Sequence, residues 1–320
     1  MPLTIGPGFT IGPGFTVSST PPPSINGFTT PALMNGSVIG ALMNSVTVNS
    51  SGLFVAVGRF SANSYPVYAT SSDGSTWTTP ATMNGSTTGA DMKSITVNTS
   101  GLFVAVGSRT SGSYPLYATS TDGSTWTTPA LMNLSLTGAI MQSVTVNSSG
   151  LFVAVGYRSG ANPYPVYATS TDGSTWTTPA QMNGSTTGTY MNSVTVNSSG
   201  LFVAVGYLQS GSYPVYATST DGSTWTTPAT MNGSTTGAYM ISVTVNSSGL
   251  FVAVGYLSSG NYPAYATSTN GSTWTTPAVM NGSTTGAFMN SVAVLGSGPF
   301  VAVGYTSGTN TPVYAVGTFS

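Results

Sequence analysis

Tryptophan stands at positions 77, 126, 176, 225 and 274 of this 320-residue chain, at steps of 49, 50, 49 and 49 residues. So regular a period means that the chain folds as an array of like units, each burying its apolar face against the next. One unit, Met191–Ala229, reads MNSVTVNSSGLFVAVGYLQSGSYPVYATSTDGSTWTTPA. Nothing in it has helical periodicity, and β-branched and aromatic residues dominate between turn residues. It parses into four strands: a (Ser193 to Val196), b (Leu201 to Gly206), c (Pro214 to Ser219) and d (Thr224 to Ala229). Strand b is a continuous apolar run, as expected of a strand covered on both faces. Asn-Ser-Ser-Gly between a and b, and Thr-Asp-Gly-Ser between c and d, are tight-turn signals. Four short strands in a period near 49 describe one blade of a β-propeller.

Strand a recurs near Ser45, Ser94, Ser143, Ser193, Ser242 and Ser291, which makes six blades. The sixth copy runs out after Tyr314 without a strand d. Gly27-Phe28-Thr29-Thr30-Pro31-Ala32-Leu33-Met34-Asn35 has the strand-d pattern, with Phe28 in the tryptophan place 49 residues before Trp77. The expected fold is therefore all-β: a six-bladed propeller of four-stranded antiparallel blades, closed by the N-terminal strand completing the last blade. Closure removes the free strand edge. The expected division is an extended tail over 1–26 and the propeller over 27–320.

Composition limits the chemistry. There are four Lys/Arg, five Asp and no Glu, His or Cys. Zinc-finger sites and His- or Cys-based catalysis are excluded, and no cofactor or metal is expected. Four cations are too few for a phosphate-binding surface, so nucleic acid is not an expected partner. No apolar run reaches the roughly 20 residues of a membrane-spanning helix. Residues 1–7 lack the basic and apolar regions of a Sec signal.

The c–d turn reads Ser71-Ser72-Asp73-Gly74-Ser75-Thr76-Trp77, and it recurs with Asp122 and Trp126, Asp172 and Trp176, Asp221 and Trp225, and Asn270 and Trp274. It resembles a shortened Asp-box, the S-x-D-x-G-x-T-W turn of bacterial neuraminidase repeats, with one residue fewer between Asp and Gly. The resemblance extends over residues 27 to 320. It implies a propeller and a structural role for these ten residues, the acidic side chain capping its own turn and the aromatic packing between strands. It also raises sialidase activity, for which such enzymes use an arginine triad, a Tyr nucleophile with a Glu, and an acid/base Asp. This chain departs from that pattern. It has no Glu, Arg59, Arg109 and Arg158 fall in the b–c loops of successive blades, and Asp91 is the one Asp outside the turns. Paired carboxylates for glycoside cleavage are missing, and the expectation is a protein that is not an enzyme.

Up-and-down strands put the near-constant a–b and c–d turns on one face and the variable b–c and d–a loops on the other. The variable face is expected to carry Arg59, Arg109, Tyr157, Arg158, Tyr190, Tyr207, Tyr239, Tyr256 and Tyr305, a Tyr-rich surface suited to ligand binding. Tyrosines that merely pack against neighbouring blades are the alternative. The tail repeats TIGPGF, with Ile5, Phe9, Ile11 and Phe15 as its apolar residues, before a Pro21-Pro22-Pro23 spacer. TIGPGFT is similar to the starts of some tailed-phage virion structural proteins, notably of cyanobacterial phages. The expectations are thus a virion-surface or extracellular protein, such as a capsid decoration or adhesin, anchored to other virion proteins through its tail and presenting the variable face to cell-surface glycans. The alternative is a free glycan-binding lectin.

Overall fold

The computed structural model describes residue 34 and residues 40–84, 89–133, 137–184, 187–231, 237–280, 286–309 and 311–318. All lie in the compact unit Pro31–Ser320. The expected tail with Ile5, Phe9, Ile11 and Phe15, and the expected closing strand from residue 27 to 33, lie outside the described residues.

The chain is an all-β, six-bladed propeller. Blade 1 comprises Ala41–Val48, Phe54–Phe60, Pro66–Ser71 and Ala81–Thr82 as strands a to d. Blade 2 has Ala90–Val97, Phe103–Arg109, Tyr114–Ser120 and Ala130–Leu131. Blade 3 has Ala139–Val146, Phe152–Arg158, Tyr164–Ser170 and Ala180–Gln181. Blade 4 has Thr189–Val196, Phe202–Leu208, Tyr213–Ser219 and Ala229–Thr230. Blade 5 has Ala238–Val245, Phe251–Leu257, Tyr262–Ser268 and Ala278–Val279. Blade 6 has Ala287–Val294, Phe300–Thr306 and Pro312–Gly317 among the described residues. Every neighbouring pair within a blade is antiparallel.

Two element boundaries differ from the sequence expectation. Strand a begins four residues earlier, at Thr189 in blade 4, because a bulge between Met191 and Ser193 lets the ladder continue past the hydrophobic SVTV core. Gly206 faces that bulge. A Cβ there would lie 1.8 Å from the Tyr190 carbonyl oxygen, so the backbone approach itself requires glycine. Strand d is only two residues long, not six. Its Trp225-Thr226-Thr227-Pro228 portion is held otherwise: Thr226 N–H donates to the Thr218 carbonyl, and Thr226 Oγ1 accepts the Thr218 N–H. Pro228 has no N–H to add to the ladder.

The core repeats at each seam between consecutive blades. At the seam of blades 3 and 4, Val153 and Val155 meet Met191, Val194, Phe202 and Trp225. Trp126, Trp176, Trp225 and Trp274 are each 2% exposed. Seams are also laced by polar bonds: Ser143 Oγ accepts the Val194 N–H at 3.1 Å, and Ser193 Oγ accepts that of Val243 at 3.1 Å. At the two ends of the series, Leu42 and Val46 in blade 1 and Val303 and Val316 in blade 6 are exposed.

Candidate functional site

The c–d turns prove self-satisfied. Asp221 Oδ1 accepts N–H bonds from Ser223 (2.8 Å) and Thr224 (2.6 Å), and Ser219 Oγ donates to it at 3.0 Å. Trp225 Nε1 donates to the Gly222 carbonyl at 3.0 Å, which fixes the indole over the seam. Gly222 has φ +75°, and a Cβ on it would press Val153 of the preceding blade at 2.6 Å. The same bonds recur at Asp73, Asp122 and Asp172, and Asn270 makes them with Ser272 and Thr273. Backbone donors hold the Asp73 carboxyl at about 2 and those of Asp122, Asp172 and Asp221 well below the usual range. These four aspartates are held as anions, each with its Oδ1 engaged by its own turn. Trp77, in the first blade, is half-buried where its four counterparts are enclosed.

The other face is built by the b–c and d–a loops, which bond to one another. Ala90 N–H donates to Ser64, Gly138 N–H to Gly112, and Gly237 N–H to Ser212. Just inside these loops, one cross-strand pair joins strands a and b in every blade: Leu42 with Arg59, Asp91 with Ser108, Ile140 with Tyr157, Tyr190 with Tyr207, Tyr239 with Tyr256, and Phe288 with Tyr305. The strand-b member of one blade meets the strand-a member of the next at Arg59–Asp91, Tyr157–Tyr190, Tyr207–Tyr239 and Tyr256–Phe288, which lines these positions up as a rim.

From blade 3 to blade 6 that rim is aromatic. Ring centroids lie 4.6 Å apart for Tyr157 and Tyr190, 4.8 Å for Tyr190 and Tyr207, and 4.8 Å for Tyr207 and Tyr239. The series continues at 4.8 Å to Tyr256, 4.7 Å to Phe288 and 5.3 Å to Tyr305. Edge-on contacts between blades alternate with stacked contacts within them, both favourable for ring quadrupoles. The rings are half-buried, and Tyr305 at the end is 37% exposed. Burial, reinforced by neighbouring tyrosines, pushes the Tyr207 phenol up to about 12, and burial raises those of Tyr190 and Tyr256. They therefore remain neutral hydrogen-bonding groups at ordinary pH. Tyr239 Oη bonds Ser212 Oγ, and Tyr190 Oη donates to Gln209 Oε1 at 3.4 Å.

In blades 1 and 2 the rim is ionic instead. Asp91, 4% exposed, receives Arg59 Nε at 3.1 Å, Lys93 Nζ at 2.7 Å and Asn44 Nδ2 at 2.7 Å. Arg158 lies at the loop edge, donating to Tyr164 Oη at 2.9 Å and to the Thr137 carbonyl at 3.0 Å. Arg109 is exposed at the end of its strand. The nine side chains expected on the variable face thus lie along this rim or beside it. Tyr157, Tyr190, Tyr207, Tyr239, Tyr256 and Tyr305 form one series, while Arg59, Arg109 and Arg158 stay in three different blades. Phe288 and Asp91 occupy the same register position as Tyr190, which the repeat alignment makes visible. Lys93 and Asn44 gave no signal, because both sit at the strand-a bulge.

Among the described residues, no group of three or more His, Cys, Asp or Glu could hold a metal ion, and no helix is long and apolar enough to cross a membrane. The profile of the BNR repeat-like domain matches residues 26–273. No protein of curated function matches the sequence. Among solved structures, the Hadza microbial sialidase Hz136 is similar with a TM-score of 0.62 at 14% identity, over 86% of this chain. This chain spans 65% of that sialidase's length. A putative gluconolactonase is similar with a TM-score of 0.53 at 12% identity, over 87% of this chain and 89% of its own. At such identities the likeness is one of fold.

Proposed function

The chain belongs to the BNR repeat-like domain family, and from that premise we propose that it is a non-enzymatic carbohydrate-binding propeller whose aromatic rim and surrounding loops hold a glycan. The observation that carries this reading is the unbroken ring series from Tyr157 to Tyr305. Sugar rings have apolar C–H faces that settle on aromatic surface and hydroxyls that exchange hydrogen bonds with phenols and amides. The b–c loop of blade 4 supplies uncharged partners in Gln209 and Ser212, which bond the rim tyrosines Tyr190 and Tyr239.

The carboxylates argue against a hydrolase. Glycoside cleavage by the common routes needs one carboxyl poised as an acid and a second as base or nucleophile. The five acidic residues of the chain are all Asp. Four are anions bound into turns, and Asp91 is engaged by two cations. A Tyr nucleophile of the sialidase kind would need a Glu, which the sequence lacks.

The reading is tested by titrating the protein with neutral and sialylated oligosaccharides. Binding of neutral glycans that persists in high salt is expected. Tyr207→Ala and Tyr239→Ala should each weaken it about tenfold, the loss of roughly 1.4 kcal/mol of ring contact. Binding unchanged in both variants, or release of sugar by the wild type, would overturn it. The finer reading, a virion-mounted adhesin or decoration protein anchored by residues 1–26, rests on the resemblance of the TIGPGFT segment to phage virion proteins. Its measure is salt-resistant co-sedimentation with virus particles; a free species at the top of the gradient leaves the lectin.

A further inference from the structure

Asn270 and Gly271 take the places of Asp221 and Gly222 in the c–d turn of blade 5, between Ser268 and Trp274. Asparagine followed by glycine is the pair most prone to lose its side-chain amide, because the glycine nitrogen has no neighbouring side chain to hinder its attack on Cγ. Asn270 is exposed to water. The turn nonetheless holds the group under attack. Asn270 Oδ1 accepts the N–H groups of Ser272 at 2.9 Å and Thr273 at 2.7 Å, and the Ser268 hydroxyl at 3.2 Å. Its Nδ2 donates to Thr273 Oγ1 at 3.3 Å.

The attacking residue is clamped from two sides. Gly271 N–H donates to Ser268 Oγ at 2.9 Å, and Ser268 is buried. The Gly271 carbonyl accepts Trp274 Nε1 at 3.0 Å, with the indole enclosed in the seam between blades 4 and 5. A Cβ on Gly271 would lie 2.6 Å from Val203 of blade 4, so this backbone rests directly on the neighbouring blade. The Gly271 nitrogen cannot turn towards Cγ while these contacts stand. Rotating the Asn270–Gly271 peptide breaks the Ser268 bond and moves the Gly271 carbonyl off the indole.

We propose that Asn270 is a gated modification site, closed while blades 4 and 5 are packed and open to deamidation when that seam loosens. The Gly271 nitrogen then bonds to Asn270 Cγ, the Cγ–Nδ2 bond breaks, and ammonia leaves with the proton that the Gly271 nitrogen gives up. Water opens the resulting succinimide at Cγ and leaves a side-chain carboxyl. One water is taken up and one ammonia lost, with no change of oxidation state. The sister turns show that this product fits. Asp221 Oδ1 accepts the equivalent N–H groups at 2.8 and 2.6 Å, so an aspartate at position 270 re-forms the turn as an anion. Opening at the other carbonyl would add a carbon to the backbone and pull Gly271 off Ser268 and Trp274.

The whole chain is incubated in mildly alkaline buffer, native or in guanidinium chloride, and amide loss is followed by peptide mass spectrometry. Asn183-Gly184, the same pair in the exposed loop after strand d of blade 3, is read in the same samples. Loss at Asn270 should be at least about tenfold slower in the native protein than in denaturant, since several hydrogen bonds must open together. Asn183 should differ far less between the two. Equal native and denatured rates at Asn270, or a native slowing no greater than that at Asn183, would overturn the gate. Ser268→Ala and Trp274→Phe each remove one clamp and should speed native loss at Asn270 while leaving Asn183 unchanged. A rate at Asn270 unmoved by both would equally overturn it. Asn270→Asp should hold a thermal midpoint at or above that of the wild type, and a clear fall would overturn the assigned product.

Discussion

Asp122 shows how little of this chain's charge is free to do anything but hold a turn. Its Oδ1 takes N–H bonds from Ser124 and Thr125 at 2.7 and 2.6 Å. Asp122→Ala would return those donors to solvent in an exposed turn, and should cost roughly 1 kcal/mol in denaturant unfolding. Asp122→Asn should cost less, because Asn270 already performs the same task in blade 5. The pH dependence follows from the same residues. Asp73 is held at about 2 and the other three turn carboxyls are depressed, whereas in the unfolded chain they titrate near 3.9. In acid the unfolded state binds more protons, so stability present above about pH 4 is lost progressively towards pH 2. At the alkaline end the sign is set by phenols. Tyr207 at about 12, with Tyr190 and Tyr256 also raised, keeps its proton in the fold after the unfolded chain loses it near 10. Thermal midpoints should therefore be flat between these limits, decline below about pH 4 and decline again above about pH 10. A rise at either end would contradict these assignments.

At the scale of elements, the hairpins of strands a, b and c carry the ladder, and the fourth strand acts mainly as a carrier for its tryptophan. Only Ala229 and Thr230 pair with strand c in blade 4. The indole of Trp225 instead lies in the seam, 6.3 Å from the ring of Tyr167 in the blade before. Trp225→Ala should cost about 3–5 kcal/mol, the range for a large buried aromatic, read from the denaturant midpoint at constant m-value. Trp77→Ala, at a half-buried position, should cost distinctly less. The strand-a bulge has a further consequence. In blades 1 and 4 the bulge residue reaches across the seam: Asn44 Nδ2 donates to the Met92 carbonyl at 2.7 Å and Asn192 Nδ2 to the Met240 carbonyl at 2.9 Å.

For the whole molecule, cohesion is almost independent of long-range charge. Nine formal charges are spread over 320 residues, and both ion pairs found among the described residues share Asp91. Raising sodium chloride from about 0.05 to 0.5 M, which shortens the screening length severalfold, should move the thermal midpoint by no more than a degree or two. A large drop would mean that the Arg59–Asp91–Lys93 cluster matters beyond its blade. The period of 49, the apolar FVAVG run and the repeated turns were enough to read the six blades, the strand order and the two unlike faces, because each of those is set by local patterning copied along the chain. The ten turn residues were legible for the same reason: an Asx turn is satisfied within a few residues. What the sequence left open was decided by approach in space. The bulge that lengthens strand a, and the glycine opposite it, come from two backbones meeting across a hairpin. The joining of Tyr157, Tyr190, Tyr207, Tyr239, Tyr256, Phe288 and Tyr305 into one series depends on how consecutive blades pack, since the contacts between blades link residues 32 or 33 positions apart. The sequence by itself determined which residues each blade would offer at its rim. Only the tertiary structure decided that the first two blades would neutralise theirs in an ion cluster while the last four would align theirs as aromatic surface, because a contact across a seam belongs to neither blade alone.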